Sequence, residues 1–110
     1  MKTATVARQV CNTAWHCGKP ISASDLALMR GAFPTVNAIY RNGESYYIYT
    51  SLATTSHIAA IDVCNAFFAK VIGGPAATAN GSSDITVLSK GGPTTSVKLA
   101  SHAALSVGCL

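Results

Sequence analysis

Of the 110 residues, 49% are hydrophobic and only 11% are charged, too apolar for a disordered segment and too poor in charge for an ordinary Lys/Glu-rich cytosolic surface. The net charge of +4 comes from eight basic and four acidic residues scattered along the chain, with no cluster of three, which argues against a nucleic-acid-binding stripe. The length fits one domain over residues 1–110 with a single modest core, and the longest apolar run, Ile58 to Ile72, is broken by Asp62 and Lys70 and is too short for a membrane span.

Thr3 to Val10 alternates as a strand, with Val6, Arg8 and Val10 on one side. Cys11 to Pro20 reads as a loop, because it ends in a glycine and a proline that resists helix before it. Ser22-Ala23-Ser24-Asp25 resembles a capping box with an acid at its fourth position. It opens a short helix, Ala23 to Arg30, stopped at Gly31, with Leu26 and Met29 facing inward. The strongest local signal is Asn42-Gly43, which predicts a hairpin of Val36 to Arg41 with Glu44 to Ser51. That register sets Arg41 opposite Glu44 and Val36 opposite Tyr49. One face then carries Val36, Ala38, Tyr40, Tyr47 and Tyr49, and the other carries Ile39, Tyr46 and Ile48.

The segment Thr54 to Gly74 is the helix around which the core should form. Thr55 or Ser56 caps its start, and Gly73-Gly74-Pro75 ends it. At 100° per residue its apolar side chains cover well over half the circumference, with Cys64 in the middle of the buried face. A Gly/Ala/Ser loop from Gly73 to Ser83 follows, then a strand from Asp84 to Ser89, a turn at Gly91-Gly92-Pro93 and a strand from Thr95 to Ser101. The order is β-α-β-β-α-β with an extra C-terminal strand. This is an α+β domain, a split βαβ antiparallel sheet with both helices on one face.

The four cysteines, Cys11, Cys17, Cys64 and Cys109, form an even set in a small, charge-poor chain, the pattern of two disulfides in an oxidising compartment. Three connectivities are open, and the reading favours pairs that tie each N-terminal cysteine to a distant partner. Met1-Lys2-Thr3 leads directly into the first strand, so export implies a leader already removed. The Asn80-Gly81-Ser82 sequon fits secretion, although such triplets arise by chance. Zinc is disfavoured, since the spacing of Cys11, His16 and Cys17 is looser than structural zinc sites use.

For catalysis, a ribonuclease-type site would recruit His16 or His57 with Glu44, Arg30 or Arg41, but nothing in their spacing requires it. His57 at a helix start reads as structural, and no phosphate loop, carboxylate pair or nucleophile elbow is present. Tyr40, Tyr47 and Tyr49 are candidates for a binding face, against the plainer reading of good sheet residues under a helix. The mean hydropathy of +0.33 leaves little polar material for the second sheet face, so an exposed apolar patch and a homodimer or other partner are expected.

The element order, with a cysteine inside the second helix at Asp62-Val63-Cys64, resembles the virally encoded smut killer toxins and related killer-toxin-like plant-pathogen effectors. These belong to the small secreted cysteine-containing proteins of fungi. The resemblance covers about residues 3 to 101 and rests on element order; the toxins usually carry more than four cysteines. It implies a disulfide-stapled split βαβ sandwich that works by antagonism or host interaction rather than turnover. The expectation is a secreted, non-enzymatic domain that binds a protein or cell-surface target of a host or competitor, with no cofactor, metal or nucleic acid. The alternatives are a small secreted ribonuclease or hydrolase using histidines, and a self-associating surface or structural protein.

Overall fold

The computed structural model describes residues 18–73, 84–91, 95–103 and 108–110. In chain order it has β1 (Lys19–Pro20), α1 (Ala23–Ala32), β2 (Val36–Asn42), β3 (Ser45–Thr50), α2 (His57–Phe67), β4 (Asp84–Leu88) and β5 (Lys98–His102). A π-helical turn, Phe68–Ile72, prolongs α2. The class is α+β, in the βαββαβ order with one further strand. The strand expected over residues 3–10 lies outside the described residues, as do Cys11, His16, Cys17 and the sequon. The first described strand, Lys19–Pro20, falls in the segment read as loop.

The five strands form one sheet in the order β1-β2-β3-β4-β5. The sheet is mixed rather than wholly antiparallel: β3 and β4 run parallel, while the other three neighbouring pairs are antiparallel. The cause is α2, which carries the chain back along the sheet between β3 and β4; a helical crossover is the connection that parallel neighbours need.

Both helices cover one face. Ser22 caps α1, accepting a hydrogen bond from the Asp25 N–H at 3.2 Å, and Met29 is the helix's one buried residue. Gly31 does not stop α1, which continues to Ala32 with Phe33 as its cap. From α2 and the turn after it, Ala60, Val63, Cys64, Phe67 and Phe68 enter the core beside Ile39, Ile48, Ile85, Val87 and Leu99. Each large side chain buried this way contributes about 1.5–3 kcal/mol. Gly73 ends the helical segment at φ 103°, its N–H donating to the Phe68 carbonyl at 3.0 Å. That left-handed conformation costs glycine little, so the expected stop holds.

The hairpin forms two residues away from the expected register. Asn42 faces Ser45, Arg41 faces Tyr46 and Tyr40 faces Tyr47, with Gly43 at φ 64° starting the two-residue turn. Arg41 therefore does not meet Glu44. Each β2 residue moves by two along β3, and a shift of two preserves the faces. Tyr40, Tyr47 and Tyr49 still share a side, and Ile39, Tyr46 and Ile48 the other. Val36 is the exception: an irregularity between Val36 and Ala38 sets it opposite Thr50, and it joins the helix-side core.

Cys64 pairs with Cys109, joining the middle of α2 to the penultimate residue with Cα atoms 6.1 Å apart. The expected long-range pairs from Cys11 and Cys17 to these two cysteines do not form, because α2 and the tail already lie together. The Asn65 side-chain carbonyl accepts the Cys109 N–H at 3.1 Å, and Leu110 and Ser101 exchange backbone hydrogen bonds of 2.8 and 2.9 Å. The chain end thus lies along β5 and takes up part of that sheet edge.

Candidate functional site

A cleft of about 620 Å³ lies between β1, the hairpin turn and the first turn of α1. Its sheet wall carries Lys19 and Arg41, partners across the β1–β2 ladder, with Tyr46 next in the same row on β3. Its helix wall carries Ser22 and Asp25, and Pro20, Ile21 and Val71 supply apolar surface.

A chain of contacts from the core fixes the cleft's shape. Phe67, fully buried on α2, meets the Tyr46 ring edge-on at 5.1 Å between centroids. The Arg41 guanidinium lies over the Tyr46 ring, 5.6 Å from its centroid, within the range of cation–π attraction. Arg41 Nε also donates to the Gly43 carbonyl at 2.8 Å. β1 reaches β2 through Gly18, where a Cβ would come within 1.9 Å of the Arg41 carbonyl oxygen, so only glycine allows this approach.

A second hollow, of about 250 Å³, lies at the β3–β4–β5 end and is lined by Ser45, Tyr47, Asp84, Thr86, Ser101 and His102, among others. His102 is 2% exposed, and its ring stacks on Phe68 with centroids 4.2 Å apart. That packing makes it a core residue.

Among the described residues, the structure does not bring together the residues a ribonuclease would need. His57 Nδ1 donates to the Leu99 carbonyl at 2.6 Å, which fastens the start of α2 to β5. Arg41 lies three strands away on β2, about 14 Å at the usual spacing of neighbouring strands. Glu44 sits at the hairpin turn, Arg30 is in the last turn of α1, and His16 lies outside the described residues.

The tyrosine face differs from expectation in its exposure. Tyr47 and Tyr49 are each only 8% exposed and pack with Leu88, while Tyr40 is half-buried and meets Tyr49 edge-on at 5.8 Å. The apolar face expected to drive dimerisation is therefore largely covered within the chain. Burial pushes the Tyr49 hydroxyl's pKa above 10.0, and Tyr40 and Tyr47 add to the shift. The Tyr49 hydroxyl has no hydrogen-bond partner among the described residues.

Sequence reasoning overlooked Lys19 as a site residue, because it falls in a segment read as loop. Tyr46 belongs to the tyrosine-rich strand read as a possible ligand platform, but nothing local links it to Lys19 or Arg41 in one cleft. No three His, Cys, Asp or Glu side chains among the described residues are grouped to hold a metal ion, and no described helix is long and apolar enough to cross a membrane. No known protein family matches the chain, and no curated protein or solved structure is significantly similar to it.

Proposed function

We propose that the chain is an exported binding domain, effector-like or killer-toxin-like, that acts by docking to a host or competitor partner rather than by turnover. The observation that carries this reading is the Cys64–Cys109 disulfide, which ties the core helix to the end of the chain. Disulfides persist in oxidising compartments and are rare where thiols are kept reduced. The element order that resembles the killer-toxin-like proteins supports the same reading. The cleft framed by Lys19, Arg41 and Tyr46 offers a recognition surface, and His57 is committed to a structural hydrogen bond.

Fractionating the organism that makes the protein tests the proposal. An antibody to the chain should find it in the medium or cell wall, with Cys64 and Cys109 oxidised on thiol labelling under denaturing, non-reducing conditions. Recovery from the cytosol with both thiols free would overturn it.

A further inference from the structure

We propose that the cleft binds an anionic sugar, a compact hydroxylated ligand carrying one carboxylate or phosphoryl group; this rests on the reading of the protein as a binding domain. The sheet wall supplies the anion's partners. Lys19 and Arg41 stand opposite each other across the β1–β2 ladder and line one cavity. Among the described residues neither is in an ion pair. Arg41 is held by its Nε, through Gly43, and by its face, on Tyr46. Among the described residues both Nη atoms are left for a ligand, as a planar fork that matches carboxylate or phosphate with two hydrogen bonds. Holding the guanidinium in place beforehand lowers the ordering cost of binding.

The helix wall narrows the ligand class. The Asp25 carboxylate lines the cleft and makes no ion pair with either cation. As an acceptor it calls for a donor on the ligand. An ammonium or a hydroxyl would serve, and charge decides between them. The lining carries two cations and one carboxylate, and the whole chain carries +4, so the field favours a ligand with net negative charge. A hydroxyl meets Asp25 without adding positive charge, whereas a zwitterion would be neutral overall. Pro20, Ile21 and Val71 offer apolar surface to the carbon skeleton. A volume of about 620 Å³ lies within the usual range for small-molecule sites.

Titration calorimetry of the full disulfide-bonded chain tests this with four probes: D-glucuronate, glucose 6-phosphate, glucose and inorganic phosphate. At least one of the two charged sugars should bind more tightly than both glucose and inorganic phosphate, and the tighter one identifies the anionic group. R41Q should weaken its binding about tenfold or more, the usual effect of losing a charge-assisted contact. D25N should weaken the charged sugar, by loss of the hydroxyl's charged acceptor, and leave inorganic phosphate no weaker, since a repelling carboxylate is removed. Both residues lie at the surface of the cleft, so unchanged Tm values will show that the variants fold; K19Q gives a third reading on the same wall.

Three outcomes would overturn the proposal. Inorganic phosphate binding at least as tightly as both charged sugars, with D25N weakening neither sugar, would make the cleft a simple ion trap. Glucose binding as tightly as both charged sugars would remove the anion. No saturable heat from either charged sugar up to about 10 mM would remove the site. These results are separate from the location test. An exported protein that ignores all four probes would sink this inference alone, and a cytosolic, reduced protein that binds glucuronate would sink the proposed function alone.

Discussion

Both faces of the sheet are buried, but by different material. The helix side is filled with carbon, from Met29 on α1, Val63 and Phe67 on α2, and Ile39, Ile48, Ile85 and Val87 on the strands, and the Cys64–Cys109 bond locks it. The tyrosine side buries Tyr47, Tyr49 and Leu88, and the Tyr49 hydroxyl goes in with its ring. Burying carbon stabilises the fold, whereas burying an unpaired hydroxyl costs about 1–3 kcal/mol. Equal burial therefore does not mean equal contribution. Stability should reside on the helix side, with the other face carrying a local defect.

Phe67→Ala should do the most to break this comparison. The side chain is fully buried and braces Tyr46, and such truncations cost about 3–5 kcal/mol. Urea denaturation measures it; a loss below about 1 kcal/mol would mean the helix side is not the anchor. Removing the disulfide by Cys64→Ala with Cys109→Ala comes next. The bond spans 45 residues, for which loop-closure entropy predicts about 4 kcal/mol, with typical measured values of about 2–4. The Leu110–Ser101 pairing should fail at the same time, seen as faster hydrogen exchange at those two amides. Unchanged exchange would show that the tail is held without the bond.

Gly18→Ala should act more locally. Its Cβ would clash with the Arg41 carbonyl, so β1 must move off β2, at about 1–3 kcal/mol. The Lys19–Arg41 wall would open while the helix side stays intact. Amide shifts confined to β1, β2 and the hairpin turn would show this; shifts spreading to β5 would show that the two ends are coupled.

What was legible in the sequence follows from which forces are local. The α2 segment was readable because its apolar period and its Gly73 stop lie within one stretch; Ser56 stands at the cap position, but its side chain makes no capping hydrogen bond among the described residues. The two hairpin faces were readable because strand alternation survives a shift of two residues, so the missed register did no harm except at Val36. The parallel β3–β4 pair was not readable, since it depends on where a helix crosses the sheet. The Cys64–Cys109 pair was not readable either, because the loop-closure argument favoured a distant partner for each N-terminal cysteine and spacing does not show that α2 and the tail lie together. The cleft was the least legible part. Arg41 was noticed, but with the wrong neighbour, and Lys19 meets it only through a two-residue strand that rests on Gly18.

The smallest expected effect sharpens the comparison most. Tyr49→Phe keeps the ring and removes the hydroxyl that lacks a partner among the described residues. Deleting an unpaired buried polar group is neutral to stabilising, so the variant should gain up to about 1 kcal/mol at neutral pH. A loss of about 1 kcal/mol or more would mean the hydroxyl is satisfied after all. Alkaline pH gives a second reading. Burial, then the neighbouring Tyr40 and Tyr47, raise the Tyr49 pKa in the folded protein above 10.0. The unfolded chain therefore sheds this proton first as pH rises. The stability linked to the neutral phenol is fully present below about pH 10 and is lost as pH climbs through the raised folded-state value. Wild-type Tm should fall more steeply than that of Tyr49→Phe between about pH 9 and about pH 11. Parallel slopes would mean that Tyr49 ionises as freely in the fold as in the unfolded chain, and the two faces would then differ in shape alone.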